Sequence, residues 1–132
     1  MPPEVVGLRR DQFTHEYGVD VQRLVPWAAL NAPFEGAWAV VRAGTDSTLH
    51  SHHETEIFIA VRGEAVVECD GARAPFRVGD IALFQPGQQH RVLNAADVDF
   101  EFYSVWWDET MAAGFLDKRT TAASPVDAEV AS

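Results

Sequence analysis

The chain has 132 residues, of which 47% are hydrophobic and 11% aromatic, and this composition favours one globular domain over a disordered chain. Its formal net charge of -10 argues against nucleic acid or an anionic membrane as a partner, because phosphates repel an acidic surface. The sequence shows neither the basic and apolar segments of a signal peptide nor a window near the ~20 apolar residues of a membrane span. Because Cys69 is the single cysteine, no intramolecular disulfide can form. We therefore predict a cytoplasmic protein.

Residues 1–34 show no clean apolar period and are expected to form a short N-terminal extension that packs on the domain, with one short strand within "DVQRLVPW". Short strand-like segments then follow one another through residues 35–107, and the alternation of apolar residues is clearest in "EIFIAV". The Asp70-Gly71 pair is a strong hairpin signal. Short strands separated by Gly, Pro and Asp-Gly turns predict an all-β sandwich or small barrel.

The composition changes after the last predicted strand. Residues 108–119, which include "DETMAAGFLDKR", are expected to form a short helix or turn. Residues 120–132 are rich in Ala and Ser and have no periodic apolar face. This pattern is typical of a disordered tail or an interdomain linker.

The segment "LHSHHETEIFI" carries three of the five histidines of the chain. His50 and His52 are two residues apart, so on extended backbone they point the same way and can bind one ion together. Glu56 opens the next strand and can bring its carboxylate to the same side, while His90 lies in a second polar segment, "QPGQQHRVLN". Three imidazoles and a carboxylate suit zinc, iron, manganese, nickel or copper rather than calcium or magnesium.

The spacing of these residues resembles the two motifs of the cupin superfamily. The first motif is Gly44, five residues, His50-Ser51-His52, three residues, Glu56, six residues and Gly63; the second is Gly79, Pro86-Gly87, His90 and Asn94. The usual proline of the second motif falls at Gln85, and Pro86 takes the adjacent position. The resemblance covers about residues 35–107. It implies a small cupin β-barrel of the jelly-roll type, with one divalent transition metal held by His50, His52, Glu56 and His90.

Residues beside the ligands are candidates for substrate binding. Phe58 is expected to line the pocket next to Glu56, which is also a candidate catalytic group. Trp38 and Arg42 alternate on one face of a strand that lines the mouth of the barrel in cupins. An inward Arg42 would clamp a substrate carboxylate, whereas an outward Arg42 would be solvated at the surface.

Tyr103 is a candidate proton donor or substrate hydrogen-bonding group if its face of "DFEFYSVWW" is the inner one. Periodicity alone does not decide which face that is. His53 and Glu54, although adjacent to the ligands, are expected to point away from the site.

The ligand set permits several chemistries. A zinc ion would act as a Lewis acid or lower the pKa of a bound water towards ~7. Iron would support dioxygenase chemistry, and manganese or nickel would support isomerase, decarboxylase or lyase chemistry. A cupin that only senses a small molecule is a non-catalytic alternative. The small-molecule substrate and the metal are left open by the sequence, and small cupins often pair through their sheets, so we expect a homodimer.

A narrower resemblance favours zinc. The segments "PFEGAWAVVRAG", "HSHHETEIFI" and "FEFYSVWWD", followed by a linker-like tail, look like the cupin module of hydrazine synthetases, which is fused to a methionyl-tRNA-synthetase-like domain. In that family the zinc cupin rearranges an ester of an N-hydroxylated diamine and an amino acid into a product with an N–N bond. The resemblance therefore implies a fused or downstream synthetase-like domain as a partner.

Overall fold

A computed structural model of the protein describes residues 2–114. In this part of the chain a 3-10 helix, Arg10–Gln12, precedes a series of strands. The strands are β1 (Thr14–Glu16), β2 (Val19–Arg23), β3 (Glu35–Val41), β4 (Thr55–Arg62), β5 (Glu64–Cys69), β6 (Ala72–Arg77), β7 (Ile81–Phe84), β8 (His90–Leu93) and β9 (Phe100–Trp107).

The strands form two antiparallel sheets. The larger has six strands in the order β1-β2-β3-β9-β4-β7, and the smaller has three in the order β6-β5-β8. One buried apolar cluster contains side chains of both sheets, among them Phe58, Phe76, Phe84, Val92 and Phe102. The inner faces therefore pack on each other, as alternating side chains of a double-sheet fold do. The all-β prediction is confirmed.

The N-terminal residues do more than pack on the barrel. The predicted strand in "DVQRLVPW" exists as β2, which pairs with β3 through Val21 and Ala39, among other residues. The strand β1 extends the same sheet by one more strand. Its three residues are too few to show a period of two, so no pattern in the sequence indicated this strand.

The predicted hairpin is confirmed at the turn between β5 and β6. Cys69 pairs with Ala72, so the loop contains two residues, Asp70 and Gly71. Both have positive φ, 49° and 83°, as a type I′ turn requires.

The chain after β9 begins a helix, since residues 109–114 are helical. The Asp108 side chain accepts a hydrogen bond of 2.7 Å from the backbone N–H of Met111, which is the usual role of an aspartate at a helix N-terminus. The rest of the predicted helix or turn, 115–119, and the predicted disordered tail, 120–132, lie outside the described residues. Among the residues that are described, none belongs to a helix with the length and apolar character needed to cross a membrane.

Candidate metal centre

The four predicted ligands meet at one place between the two sheets. His50 and His52 lie on the connection from β3 to β4, and His50 forms a β-bridge with His90. Glu56 is the second residue of β4 and His90 is the first residue of β8. One nitrogen from each histidine and one carboxylate oxygen from Glu56 all lie within 4.8 Å of one another. The structure thus brings together residues that are up to 40 positions apart in the sequence.

Backbone hydrogen bonds fix the orientation of all three imidazoles. The Nδ1 atom of His50 lies 2.9 Å from the carbonyl oxygen of Thr48, that of His52 lies 3.1 Å from the carbonyl of Glu54, and that of His90 lies 3.0 Å from the carbonyl of Gln88. Because a carbonyl only accepts hydrogen bonds, each Nδ1 carries the proton. A neutral ring then presents a lone pair on Nε2, the arrangement found in metal-ligating histidines.

These lone pairs point at a carboxylate. The Nε2 atoms of His52 and His90 lie 2.9 Å and 3.1 Å from Oε1 of Glu56. Two lone pairs at this distance repel each other unless a proton or a metal cation lies with them. Ligands on opposite sides of one ion are ~4.2 Å apart at bond lengths of ~2.1 Å. The four donor atoms, all within 4.8 Å of one another, are thus close to the separations that one transition-metal ion requires.

The second carboxylate oxygen of Glu56, Oε2, is bound by Ser104. The Ser104 hydroxyl donates a short hydrogen bond to Oε2. Burial by itself raises the pKa of Glu56, but its close contact with His90, the hydrogen bond from Ser104 and the close contact with His52 lower it by more, so the carboxylate is ionised. Ser104 was not among the predicted site residues, although it is the one polar residue on its otherwise aromatic face of β9.

Burial and aromatic packing keep the site in place. Burial lowers the pKa of His50, and this outweighs the raising effect of its hydrogen bond to Thr48, so its ring is neutral. The ring of His90 is stacked on Phe84 at a centroid distance of 4.3 Å and an interplanar angle of 14°. Phe58 contacts both rings edge-on. The site is thus backed by the aromatic core.

A cavity of about 270 Å³ opens beside the ligands. Its buried walls are apolar and consist of Val19, Val21, Ala37, Ala39, Phe58 and Phe102. Its more exposed part is formed by polar and aromatic residues, Glu16, Tyr17, Arg23, Glu35, Glu54 and Trp106. This size suits a small metabolite, and apolar walls with a few polar groups are typical of ligand pockets.

A matching family model identifies the fold. The model of the cupin domain matches residues 37–106. The chain belongs to the cupin family. This match and the solved structures below confirm the predicted cupin jelly roll.

Two solved structures are similar over nearly their whole length. A Cupin 2 conserved barrel domain protein from Salinispora arenicola is 43% identical, with a TM-score of 0.83, and the match covers 89% of this chain and 99% of that one. The plu4264 protein from Photorhabdus luminescens is 38% identical, with the same TM-score, and the match covers 89% and 98%. A "predicted oxalate decarboxylase" from Thermotoga maritima is 26% identical, with a TM-score of 0.64 and coverage of 77% and 98%.

In this cupin, three of the predicted substrate or catalytic residues do not line the cavity. Trp38 and Tyr103 are paired across β3 and β9, and they lie on the outer face of the sheet, where their rings meet at 6.2 Å. The side chain of Arg42 is 66% exposed and binds Asp20 through two hydrogen bonds of 2.7 Å and 3.1 Å. These placements correct the prediction: the alanines of β3 face the cavity instead, because small side chains leave room for it.

The arginine that does line the cavity is Arg23, at the end of β2. Its guanidinium lies 2.6 Å from Glu16 and 5.6 Å from the centroid of the Trp106 ring. The hydrogen bond to Glu16 raises the pKa of Arg23 and lowers that of Glu16. Arg23 was not among the predicted site residues, although the alternation Val19-Val21-Arg23 would have placed it on the inner face of β2.

The two neighbours of the ligands differ from each other. His53 is 75% exposed and its Nε2 atom lies 3.0 Å from Asp108, so it points away from the site as expected. Glu54 lines the cavity, contrary to the expectation that it points outward. Phe58 lies in the cavity wall, where the sequence analysis put it.

Proposed function

We propose that this cupin is an enzyme that holds one divalent transition metal ion, zinc by preference, and uses it to bind a small polar metabolite in the adjoining cavity. The observation that carries the proposal is the group of three imidazoles and one ionised carboxylate whose donor atoms lie within 4.8 Å of one another, with Nε2 of His52 and of His90 directed at Glu56. Such a set has little use without a cation, and three imidazoles with one carboxylate leave coordination positions for water or substrate.

The residues around the ligands suit this role. The Nδ1 hydrogen bonds hold the imidazoles in the ligating tautomer, and Ser104 holds the carboxylate of Glu56. The apolar walls exclude water from the reacting part of a substrate, which strengthens electrostatic interactions there. Phe58 and Phe102 would pack on the apolar body of the substrate, while the polar end of the cavity accommodates its charged groups.

The more specific proposal is a rearrangement that forms an N–N bond, as in the cupin modules of hydrazine synthetases. In the ester of an N-hydroxylated diamine and an amino acid, the amine nitrogen attacks the hydroxylamine nitrogen. The N–N bond forms, the N–O bond breaks, the carboxylate is released and the attacking amine loses a proton, so no oxidant is consumed. A bound zinc ion would supply Lewis acidity for this step, and Glu56 would accept the proton. The likeness of three sequence segments supports this proposal, and zinc is favoured for the same reason.

Metal analysis tests the metal and the reaction class together. The full chain is purified without added metal, and zinc, iron and manganese are quantified. One zinc per chain with no iron would support the proposal. One iron per chain together with oxygen uptake would overturn it in favour of a dioxygenase, and manganese would favour an isomerase or lyase.

The N–N reaction has its own assay. The zinc-loaded chain is incubated with a synthetic amino-acid ester of an N-hydroxylated diamine, and the hydrazine product is followed by mass spectrometry. We expect product formation that Glu56→Gln abolishes. Zinc loading without any product from this ester would leave a different metal-dependent reaction or a non-catalytic, ligand-sensing cupin.

We also propose a homodimer that forms through the outer face of the large sheet. On this face Ile57 and Ile59 of β4 lie beside Leu83 and Ile81 of β7, and the β7 residues are 54% and 63% exposed. An uncharged apolar patch suits the same patch of a second copy. Light scattering coupled to size exclusion should give twice the chain mass, and Ile81→Glu should reduce it to one. The synthetase-like partner and the cytoplasmic location stay predictions.

A further inference from the structure

The turn between β1 and β2 contains an unusual residue for its conformation. Glu16 pairs with Val19, so the loop has two residues, Tyr17 and Gly18, with φ of 52° and 77°. A type I′ turn favours Asn-Gly or Asp-Gly, because a bulky side chain at positive φ is strained. Tyr17 is therefore a poor choice for the turn itself, and strained residues often have a functional contact.

The contact of Tyr17 is with a metal ligand. Its ring is stacked on the imidazole of His50, with a centroid distance of 4.7 Å and an interplanar angle of 18°. The same residue also binds the loop that carries His50. The backbone N–H of Thr48 donates a hydrogen bond of 2.8 Å to the carbonyl oxygen of Tyr17, and the carbonyl of Thr48 accepts from Nδ1 of His50.

The close approach of the turn to this loop also depends on Gly18. A Cβ atom at Gly18 would lie 3.0 Å from the backbone nitrogen and from Oγ1 of Thr48. The absence of a side chain lets the turn lie directly against the loop. This contact places the Tyr17 ring over the imidazole of His50.

A comparison with His90 indicates what the stack does. His90 is 1% exposed, begins a regular strand and is stacked on Phe84 from the core. His50 lies outside the named strands, and an isolated β-bridge connects it to His90. Tyr17 gives the less supported imidazole the kind of aromatic wall that Phe84 gives His90.

We propose that Tyr17 is a positioning residue of the metal centre, whose ring holds the His50 imidazole with Nε2 directed at the ion. The inference rests on the proposed metal site and adds to it a residue from the N-terminal hairpin, which lies outside the matched cupin domain. Tyr17 is 59% exposed, so its ring contributes little to the core, and its strain opposes folding of the turn.

This strain allows a decisive variant. Tyr17→Asn removes the ring and introduces the residue that a type I′ turn prefers, and Tyr17→Gly does the same without a side chain. Both metal-free variants should therefore unfold at the wild-type temperature or above it. Both should bind Zn²⁺ roughly ten-fold more weakly than the wild type, as measured in competition with a chromophoric chelator. This is the lower end of the loss in affinity that follows removal of a group that orients a metal ligand. With Co²⁺ as the probe, their visible absorption bands should shift and broaden.

Two controls separate the ring from the turn. Tyr17→Phe keeps the stack and should bind Zn²⁺ with wild-type affinity. Asp70→Asn alters the equivalent position of the other type I′ turn, between β5 and β6, and should leave the affinity unchanged.

Wild-type affinity and an unchanged Co²⁺ spectrum in Tyr17→Asn and Tyr17→Gly would overturn this inference and leave the metal site intact. Weaker binding accompanied by a lower unfolding temperature in both metal-free variants would also overturn it, because the role would then be structural. Failure of the wild-type chain to bind Zn²⁺ or Co²⁺ would overturn the proposed metal site and the inference together.

Discussion

Glu56 and Glu101 are two buried glutamates on adjacent strands of the same sheet, and they face opposite sides of it. Glu56 is 7% exposed and Glu101 is 1% exposed. Burial raises the pKa of each, but the polar groups around each carboxylate lower it by more, so that both pKa values lie below the usual range. Burial and pKa alone would place the two in the same class.

The two glutamates differ in the groups that contact their carboxylates. The oxygens of Glu101 accept hydrogen bonds from Arg10 at 2.8 Å, Arg62 at 3.2 Å and the indole of Trp38 at 2.9 Å. Two of these partners carry permanent charge, so the chain itself neutralises Glu101. Glu56 faces imidazole nitrogens, which carry no permanent charge, so a cation shared with them would neutralise it. The chemistry of the partners, rather than burial, distinguishes the candidate metal-binding carboxylate from the structural one.

The largest expected effect is on metal binding when Glu56 is changed. Glu56→Gln keeps the shape and can still accept a hydrogen bond from Ser104, but it removes the charge that the ion requires. We expect the affinity for Zn²⁺ to fall by about 100-fold or more, equivalent to ~2.7 kcal/mol. Isothermal titration of the metal-free protein measures this directly.

Glu101→Gln is the matched control, since it makes the same chemical change on the opposite face of the sheet. It should retain wild-type affinity for Zn²⁺. Equal losses of affinity in the two variants would show that the contrast between the glutamates is not real.

The second prediction concerns the stability of the fold, and here the change is made at Glu101 instead of Glu56. Glu101→Gln leaves two arginines without their carboxylate and buries an amide among hydrogen-bond donors. We expect a loss of about 1–3 kcal/mol in the free energy of unfolding at neutral pH. Urea denaturation of the metal-free protein checks this, and an unchanged midpoint would mean that Glu101 does not anchor Arg10 and the N-terminal segment.

The same variant has a definite pH dependence. Because folding lowers the pKa of Glu101, its stabilising contribution is present above the unfolded-state pKa of ~4.3 and is lost as the pH falls through the folded-state value. The stability difference between wild type and Glu101→Gln should therefore shrink when urea denaturation is repeated below pH 4. A difference that grows on acidification would have the wrong sign.

The smallest effect is expected at Ser104. Ser104→Ala removes the hydrogen bond that orients Oε2 of Glu56 but leaves all four ligands in place. Loss of such an orienting group should weaken Zn²⁺ binding by roughly ten-fold, without change in the one-to-one stoichiometry. Ser104→Thr, which keeps the hydroxyl, is the control, and an affinity as low as that of the alanine variant would argue for steric disturbance instead.

Three of the ligand positions could be predicted from sequence because their spacing is local, whereas His90, 34 positions beyond Glu56, was assigned through the resemblance to the second cupin motif. His50 and His52 are two residues apart, and the glycines around them have positive φ at Gly44 and Gly63, as expected for turns. At Gly63 a Cβ would also lie 2.8 Å from the carbonyl oxygen of Asp99, so only glycine fits. Constraints of this kind are visible in a single sequence.

The faces of β3 and β9 could not be predicted in the same way. Trp38 and Tyr103 alternate with Ala37 and Ser104, and either set satisfies a period of two. The choice depends on Glu101, whose carboxylate binds the Trp38 indole on the outer face. That contact joins residues 63 positions apart and leaves no local signal.

Contributions from the N-terminal hairpin were missed for a related reason. Arg23 reaches the cavity because β2 pairs with β3, and Tyr17 reaches His50 because its turn lies against the loop at Thr48. Both follow from the pairing of an N-terminal segment with the large sheet. The three residues of β1 carry too few positions to reveal which face is inward, whereas the alternation of Val19, Val21 and Arg23 in β2 was the one available signal.

The most direct test of the central claim is a titration of the metal-free full chain with Zn²⁺, carried out in parallel on His90→Ala. The wild-type chain should bind one ion with a dissociation constant of roughly 1 μM or tighter, and the variant should show no saturable binding in that range. Absence of one-to-one binding by the wild type, or equal binding by His90→Ala, would contradict the proposed metal centre.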